Sequence, residues 1–171
     1  MNTKDNIVLI GMPGAGKSTV GVVLAKRLGY RFIDSDLVIQ DKYGKLLHEL
    51  IAEHGVEGFW QLENEVNAGF DVHHSIIATG GSAVYGQDAM EHLRKIGTVV
   101  YLKLSYEEIE HRLGDLNARG VTLREGQTLA ALYQERTPLY ENYAHITIEC
   151  DNKMLRQIMQ EIADRIKEGE A

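Results

Sequence analysis

The chain has 171 residues, 44% of them hydrophobic and 25% charged, the make-up of one ordinary domain that can bury a core without disulfide or metal staples. Its 18 basic and 25 acidic side chains leave a formal charge of −7, which argues against a nucleic-acid-binding surface, and no apolar run reaches the roughly 18 residues of a membrane-spanning helix. The single cysteine, Cys150, rules out an intrachain disulfide and fits a reducing cytoplasm; it closes an apolar run and reads as a small buried side chain.

Residues 1–6 lack the apolar centre of a secretory leader, so none is expected. Ile7-Val8-Leu9-Ile10 predicts a buried strand over Asn6 to Ile10. It runs into Gly11-Met-Pro-Gly-Ala-Gly-Lys-Ser18, which fills the pattern G-x-x-x-x-G-K-[ST]. The glycines let the backbone curl so that successive N–H groups face one phosphate. Lys17 can reach the outer phosphates and Ser18 can offer its hydroxyl to a metal ion, while the helix starting there points its positive end at the anion. This is a nucleotide-phosphate site. The helix is expected over Lys17 to Leu28, with Val20, Val23, Leu24 and Leu28 on its buried face and Gly29 ending it.

A second strand is expected from Arg31 to Ile33, leading into Asp34-Ser-Asp36. Asp36 to Phe70 is mostly helical and too long for a simple crossover. Further strands follow at Ser75 to Ala78, which leads into Thr79-Gly-Gly-Ser82, at Thr98 to Leu102, and at Ile146 to Ile148. Between the last two, Arg112 to Gly126 shows no periodicity and reads as a loop, and Glu135 to Tyr140 is helical. The final helix carries Met154, Ile158, Ile162 and Ile166 as a core-facing stripe. Short apolar runs alternating with helices indicate a parallel sheet with helices on its faces.

Ligands of such sheets bind beyond the carboxyl ends of the strands. Asp34 and Asp36 fall there. One carboxylate can hold a metal-bound water while the other takes a proton from a substrate hydroxyl, although either could simply cap the helix that follows. Gly80 and Gly81 allow close approach of backbone to a ligand, as a plain turn also would. Arg112, Arg119 and Arg136 are the cations available to a transferring phosphoryl group. The histidines lack metal-ligand spacing.

The P-loop, the Asp34-x-Asp36 pair, Gly55 with Phe59 and Glu63, the Gly80-Gly81 turn, the three arginines and the segment Arg136-Thr-Pro-Leu-Tyr-Glu-Asn-Tyr-Ala144 together resemble the shikimate kinases over nearly the whole chain. The resemblance implies a three-layer α/β/α fold with a five-stranded parallel sheet, of P-loop kinase type. It implies one domain over 1–171, with a core of about 1–35, 71–111 and 127–171, a substrate-binding segment of about 36–70 and a lid of about 112–126. It further implies transfer of the ATP γ-phosphate, with Mg²⁺, to the 3-hydroxyl of shikimate, by a cytoplasmic monomer without nucleic-acid or membrane partners.

Carried over by residue, Gly14, Ala15, Gly16, Lys17, Ser18 and Thr19 would hold the phosphates, Ser18 would ligate Mg²⁺ and Asp34 would support the metal through water. Asp36 would bind the ring hydroxyls and take the proton. Arg119 would be the lid cation, Arg112 would lie by the adenine, and Arg136 would face the substrate carboxylate beside Gly80, Gly81 and Ser82. Asp151-Asn-Lys153 would fall near the adenine.

The acceptor half departs from the family pattern. Trp60 stands where an arginine would grip the carboxylate, a contact worth about 1.5–3 kcal/mol or roughly 10- to 150-fold in affinity. Val56 replaces an acid, Ser82 a third glycine, and Gly120 a proline. Three readings stay open: a shikimate kinase that uses Arg136 with a cation such as Lys42 or Lys45, a kinase of another small alcohol shaped by Trp60 and Ser82, and a nucleotide-binding regulator without catalysis.

Overall fold

The computed structural model describes residues 4–113 and 121–170. Five strands, β1 (Asn6–Ile10), β2 (Arg31–Asp34), β3 (Ser75–Ala78), β4 (Gly97–Lys103) and β5 (Ile146–Glu149), form one parallel sheet in the order β2-β3-β1-β4-β5. The expected strands are all present, three of them longer by one or two residues. Every residue of β1 and β3 is buried. Helices flank the sheet, so neither set of alternating side chains of these two strands meets water and they read as apolar runs, whereas the edge strands β2 and β5 are partly exposed.

Among the described residues seven helices accompany the strands: α1 (Lys17–Leu28), α2 (Ser35–Tyr43), α3 (Leu47–Ala68), α4 (Gln87–Ile96), α5 (Tyr106–Leu113), α6 (Leu129–Tyr143) and, after the last strand, α7 (Leu155–Glu170), with a 3₁₀ turn at Ala83–Tyr85. α1 packs on β3 and α7, and α4 packs on β4 and α3. Gly29 ends α1 in the left-handed region, as expected. α3 breaks at Gly55, whose φ of 75° and ψ of 174° only glycine adopts at little cost, so the chain turns there and starts a second helical run. Among the described residues no helix is long and apolar enough to cross a membrane.

Three expectations need correction. Leu28 is partly exposed at the end of α1 instead of joining its buried face. Met154 is 67% exposed, because α7 begins only at Leu155 and Met154 precedes the face that Ile158 and Ile162 bury. Arg112 belongs to α5, not to a loop. Cys150 is buried as expected, and burial pushes its thiol up to about 12.

The chain lays β2 and β3 on one side of β1, then crosses to place β4 and β5 on the other. The strand order reverses at β1, so the loop leaving β1 opens into the crevice where ligands bind in such sheets. The opposite end is tied by Asn6, 2% exposed, whose Nδ2 donates to Val72 O and Ile96 O at 2.9 Å and whose Oδ1 accepts from Ser75 N at 3.0 Å. Asn6→Ala leaves these three main-chain groups without partners. It is expected to lower the unfolding free energy by about 2–4 kcal/mol in urea titration with an unchanged m value; a loss of a few tenths would mean that the groups find other partners.

Candidate active site

A cleft of about 310 Å³ lies at the carboxyl ends of β1, β2 and β3. Its lining includes Gly14, Gly16, Lys17, Ser18 and Thr19 of the P-loop, Asp34 and Asp36 after β2, Phe59 and Glu63 of α3, Gly80, Gly81 and Ser82 after β3, and Arg136 of α6. Residues far apart in sequence and expected on separate grounds thus meet in one place. Ala15 is buried just beneath the P-loop surface. Lys17 folds into the loop, its Nζ donating to Gly11 O at 2.7 Å and Met12 O at 2.8 Å. Gly11 opens the loop because a Cβ there would stand 2.8 Å from Leu102 O on β4.

Asp34 does two things. Its Oδ1 accepts from Asp36 N at 3.0 Å and so caps α2, and its Oδ2 accepts from the Ser18 hydroxyl at 3.2 Å. The capping role and the link to the P-loop therefore coexist in one carboxylate. Ser18 and Asp34 offer hard oxygens side by side at the mouth of the loop, which suits a small divalent cation held by few protein atoms together with phosphates. Asp36, in the first turn of α2, projects toward Gly80.

Glu63 carries no role in the sequence reading, yet it is 2% exposed and lines the cleft. Its Oε1 accepts from the Ser82 hydroxyl at 2.6 Å, while Oε2 has no hydrogen-bond partner among the described residues and lies next to Gly80. Ser82, the residue standing in for a glycine, thus satisfies one oxygen of a buried acid. Its signal was the four-residue spacing from Phe59, which puts both on one helix face. The sequence pattern assigns Tyr140 to a helix but gives it no role at the site. Its hydroxyl donates to Gly81 O at 2.6 Å and fixes the turn.

Arg136 is 1% exposed. Its Nη2 donates to Thr122 Oγ1 at 2.8 Å and its Nε to the Tyr85 hydroxyl at 3.4 Å. Its Nη1 edge lies against Gly81, 2.9 Å from where a Cβ would be. Among the described residues no carboxylate pairs with it. Trp60 is not in the lining; it stacks on Tyr85 and donates to Thr122 from behind. Lys42 and Lys45 are outside the cleft as well, Lys42 over the Tyr43 ring and Lys45 paired with Glu53. Arg112 reaches the P-loop, donating to Gly14 O at 3.3 Å and to Glu108 at 2.8 Å. Asp151 is occupied in holding the Ser105 backbone N–H and hydroxyl. Arg119 and Gly120 lie outside the described residues.

Burial dominates the electrostatics. It lowers the Lys17 ammonium to about 8, against the attraction of Asp36. It raises Asp36 to about 6, with repulsion from Asp34 adding and Lys17 opposing. It raises Glu63 to about 7, with the Ser82 hydrogen bond opposing. A poised carboxylate, a phosphate loop and a buried guanidinium facing one cleft can deprotonate a hydroxyl and hold an acidic acceptor against a nucleotide.

The chain is similar in sequence and in fold to known proteins. The family model for shikimate kinase (SKI) matches residues 13–167. The chain is 34% identical over 164 residues to a shikimate kinase of Bacillus anthracis (strain CDC 684 / NRRL 3495), covering 95% of this chain and 99% of the relative. It superposes with a TM-score of 0.87 on the shikimate kinase from Acinetobacter baumannii in complex with shikimate, at 35% identity, covering 98% and 96% of the two chains. The shikimate kinase from Aquifex aeolicus gives 0.82 at 27% identity, with 96% and 98% covered.

Glu63 carries a test of the buried charge. Its folded pKa of about 7 exceeds the unfolded 4.5, so the folded state binds the extra proton between these values. The resulting stability is complete below about pH 4.5 and is lost as pH rises through about 7. Glu63→Gln removes that dependence. In urea titrations the stability of Glu63→Gln relative to wild type is expected to improve by up to about 3 kcal/mol from pH 5 to pH 8; a difference flat with pH would show that Glu63 ionises freely.

Proposed function

The chain belongs to the shikimate kinase family, and on that footing we propose that it transfers the γ-phosphoryl group of ATP to the 3-hydroxyl of shikimate. Arg136 carries the reading. It is a buried guanidinium facing the cleft whose hydrogen bonds go to neutral oxygens, so a small carboxylate completes it. Asp36 stands across Gly80 from Glu63, placed to orient the acceptor hydroxyl and take its proton. Its raised pKa makes it a stronger base than a free carboxylate while leaving it ionised at neutral pH.

On the donor side, Lys17 and the P-loop amides hold the phosphates, and Arg112, anchored to Gly14, flanks the nucleotide. Arg119 is the lid cation of the proposal. Ser18 and Asp34 would hold Mg²⁺, whose charge offsets that of the phosphates when it is bound. We keep the division into core, substrate-binding segment 36–70 and lid 112–126, with Arg112 as the end of α5. The readings as a kinase of a different alcohol and as a non-catalytic regulator are not favoured, since the relatives that span the chain are shikimate kinases and Lys17, Asp36 and Arg136 meet in the cleft. The proposal places the protein in the cytoplasm as a monomer; the single cysteine supports the compartment, and the −7 charge supports the absence of a nucleic-acid partner.

ADP release on mixing with ATP, Mg²⁺ and shikimate tests the activity, and its absence defeats the proposal. In that assay kcat/KM should rise as pH climbs through about 6, where Asp36 ionises, and fall above about 8, where Lys17 loses its proton. Arg136→Met keeps the volume and removes the charge. It is expected to raise KM for shikimate roughly 10- to 150-fold with KM for ATP within about twofold; equal changes in both constants would place Arg136 outside the acceptor site.

A further inference from the structure

Trp60 stops short of the cleft, yet two residues it touches hold the arginine that lines it. Its ring stacks on Tyr85 with centroids 3.9 Å apart and planes 12° apart, and its Nε1–H donates to Thr122 Oγ1 at 3.2 Å. Arg136 uses the same pair. Its Nη2 donates to Thr122 Oγ1 at 2.8 Å, its Nε to the Tyr85 hydroxyl at 3.4 Å, and its guanidinium carbon lies 5.3 Å from the Tyr85 ring centroid. Indole and guanidinium are both donors only, so the Thr122 hydroxyl accepts from two directions and fills both lone pairs. Thr122 sits outside helix and strand, where no ladder of backbone hydrogen bonds fixes its place. Its hydroxyl is held by the groups it accepts from, and from the α3 wall that group is Trp60.

A guanidinium recognises a carboxylate along its edge, in its own plane. Here contacts at two nitrogens set that plane, Nη2 donating to Thr122 (Oγ1, and its carbonyl oxygen at 3.4 Å) and Nε to Tyr85, and leave the Nη1 edge beside Gly81. Loss of either contact lets the plane tilt without removing the charge. We propose that Trp60 is a positioning residue for the acceptor's carboxylate: through Thr122 and Tyr85 it fixes the plane of Arg136, so that one oriented arginine holds the acid. The inference rests on the shikimate kinase reading and adds to it a specificity device that starts outside the cleft, at Trp60 and Tyr85, and acts through Arg136.

Steady-state kinetics on the full chain with ATP and shikimate test it. Trp60→Phe keeps a ring against Tyr85 and removes the indole N–H; Thr122→Val removes the shared acceptor; Thr122→Ser keeps it. Trp60→Phe is expected to raise KM for shikimate about three- to tenfold with kcat and KM for ATP within about twofold. Thr122→Val should raise it at least as much, and Thr122→Ser should stay near wild type. Because both act through one hydroxyl, the double variant Trp60→Phe/Thr122→Val should be no worse than Thr122→Val alone. Multiplying effects, a Trp60→Phe KM within about twofold of wild type, or equal damage to KM for ATP would overturn the proposal. Should Trp60→Phe fail to fold, the contrast of Thr122→Ser with Thr122→Val decides: equal KM values for the two overturn it. Absence of shikimate turnover in the wild type defeats the underlying activity instead, a result seen before any variant is made.

Discussion

The site depends on two positions where no side chain fits. A Cβ on Gly80 would stand 2.7 Å from Asp36 Oδ1 and 2.8 Å from Glu63 Oε2; one on Gly81 would stand 2.6 Å from the Pro13 ring and 2.9 Å from Arg136 Nη1. The turn after β3 is thus the meeting point of α2, α3, the P-loop and α6. Because it is bare backbone, two acids and a guanidinium close around it from different elements. Tyr140 then locks the turn through Gly81 O. Parallel pairing of β3 with β1 and β2 sets how far the turn projects beside the P-loop, so the sheet register places the chemistry.

That convergence strips water from charges and so sets their behaviour. Lys17, Asp36 and Glu63 are each moved toward the neutral form, and burial is the largest cause in every case. Their neighbours moderate the shifts: Lys17 holds Asp36 down, Ser82 holds Glu63 down, and Asp36 holds Lys17 up. The same crowding costs stability, because ionising Glu63 in the folded state is harder than in the unfolded chain. A serine in place of glycine at 82 reduces the cost by satisfying one oxygen of that acid. The arrangement is destabilising in itself and is held by the rigid apolar sheet beneath it.

Much of this was legible from local pattern. The apolar runs of β1 and β3 are readable because both faces of those strands are covered, and the P-loop is readable because phosphate binding constrains each of its positions. Asp34 and Asp36 could be placed beside the loop because ligand-facing residues follow strand ends in such sheets. What escaped was whatever depends on contact across the fold. Met154 continues the four-residue spacing of α7 but precedes its first turn, a boundary that periodicity does not mark. Arg112 looked unpatterned because α5 is short and exposed on most of its surface. The partnership of Thr122, Tyr85 and Arg136 joins three segments with no shared spacing, and only the folded chain brings them together.

Trp60 shows how local geometry separates residues that alignment to a motif treats alike. After the break at Gly55 the helix restarts, and angular position is counted anew from there. Phe59 and Glu63, four residues apart, share the face that looks into the cleft. Trp60 is one step from Phe59, about 100° further round, and so points at the wall formed by Tyr85 and Thr122. A long flexible side chain at that position could curve back into the cleft and place a charge there. An indole cannot, since its ring is rigid and its one donor lies on the edge. It can stack and it can offer a single N–H, and both capacities are used on the residues that hold Arg136. A residue at the margin of a site therefore changes what the site does by what its shape permits, turning a position suited to a second cation into support for the first.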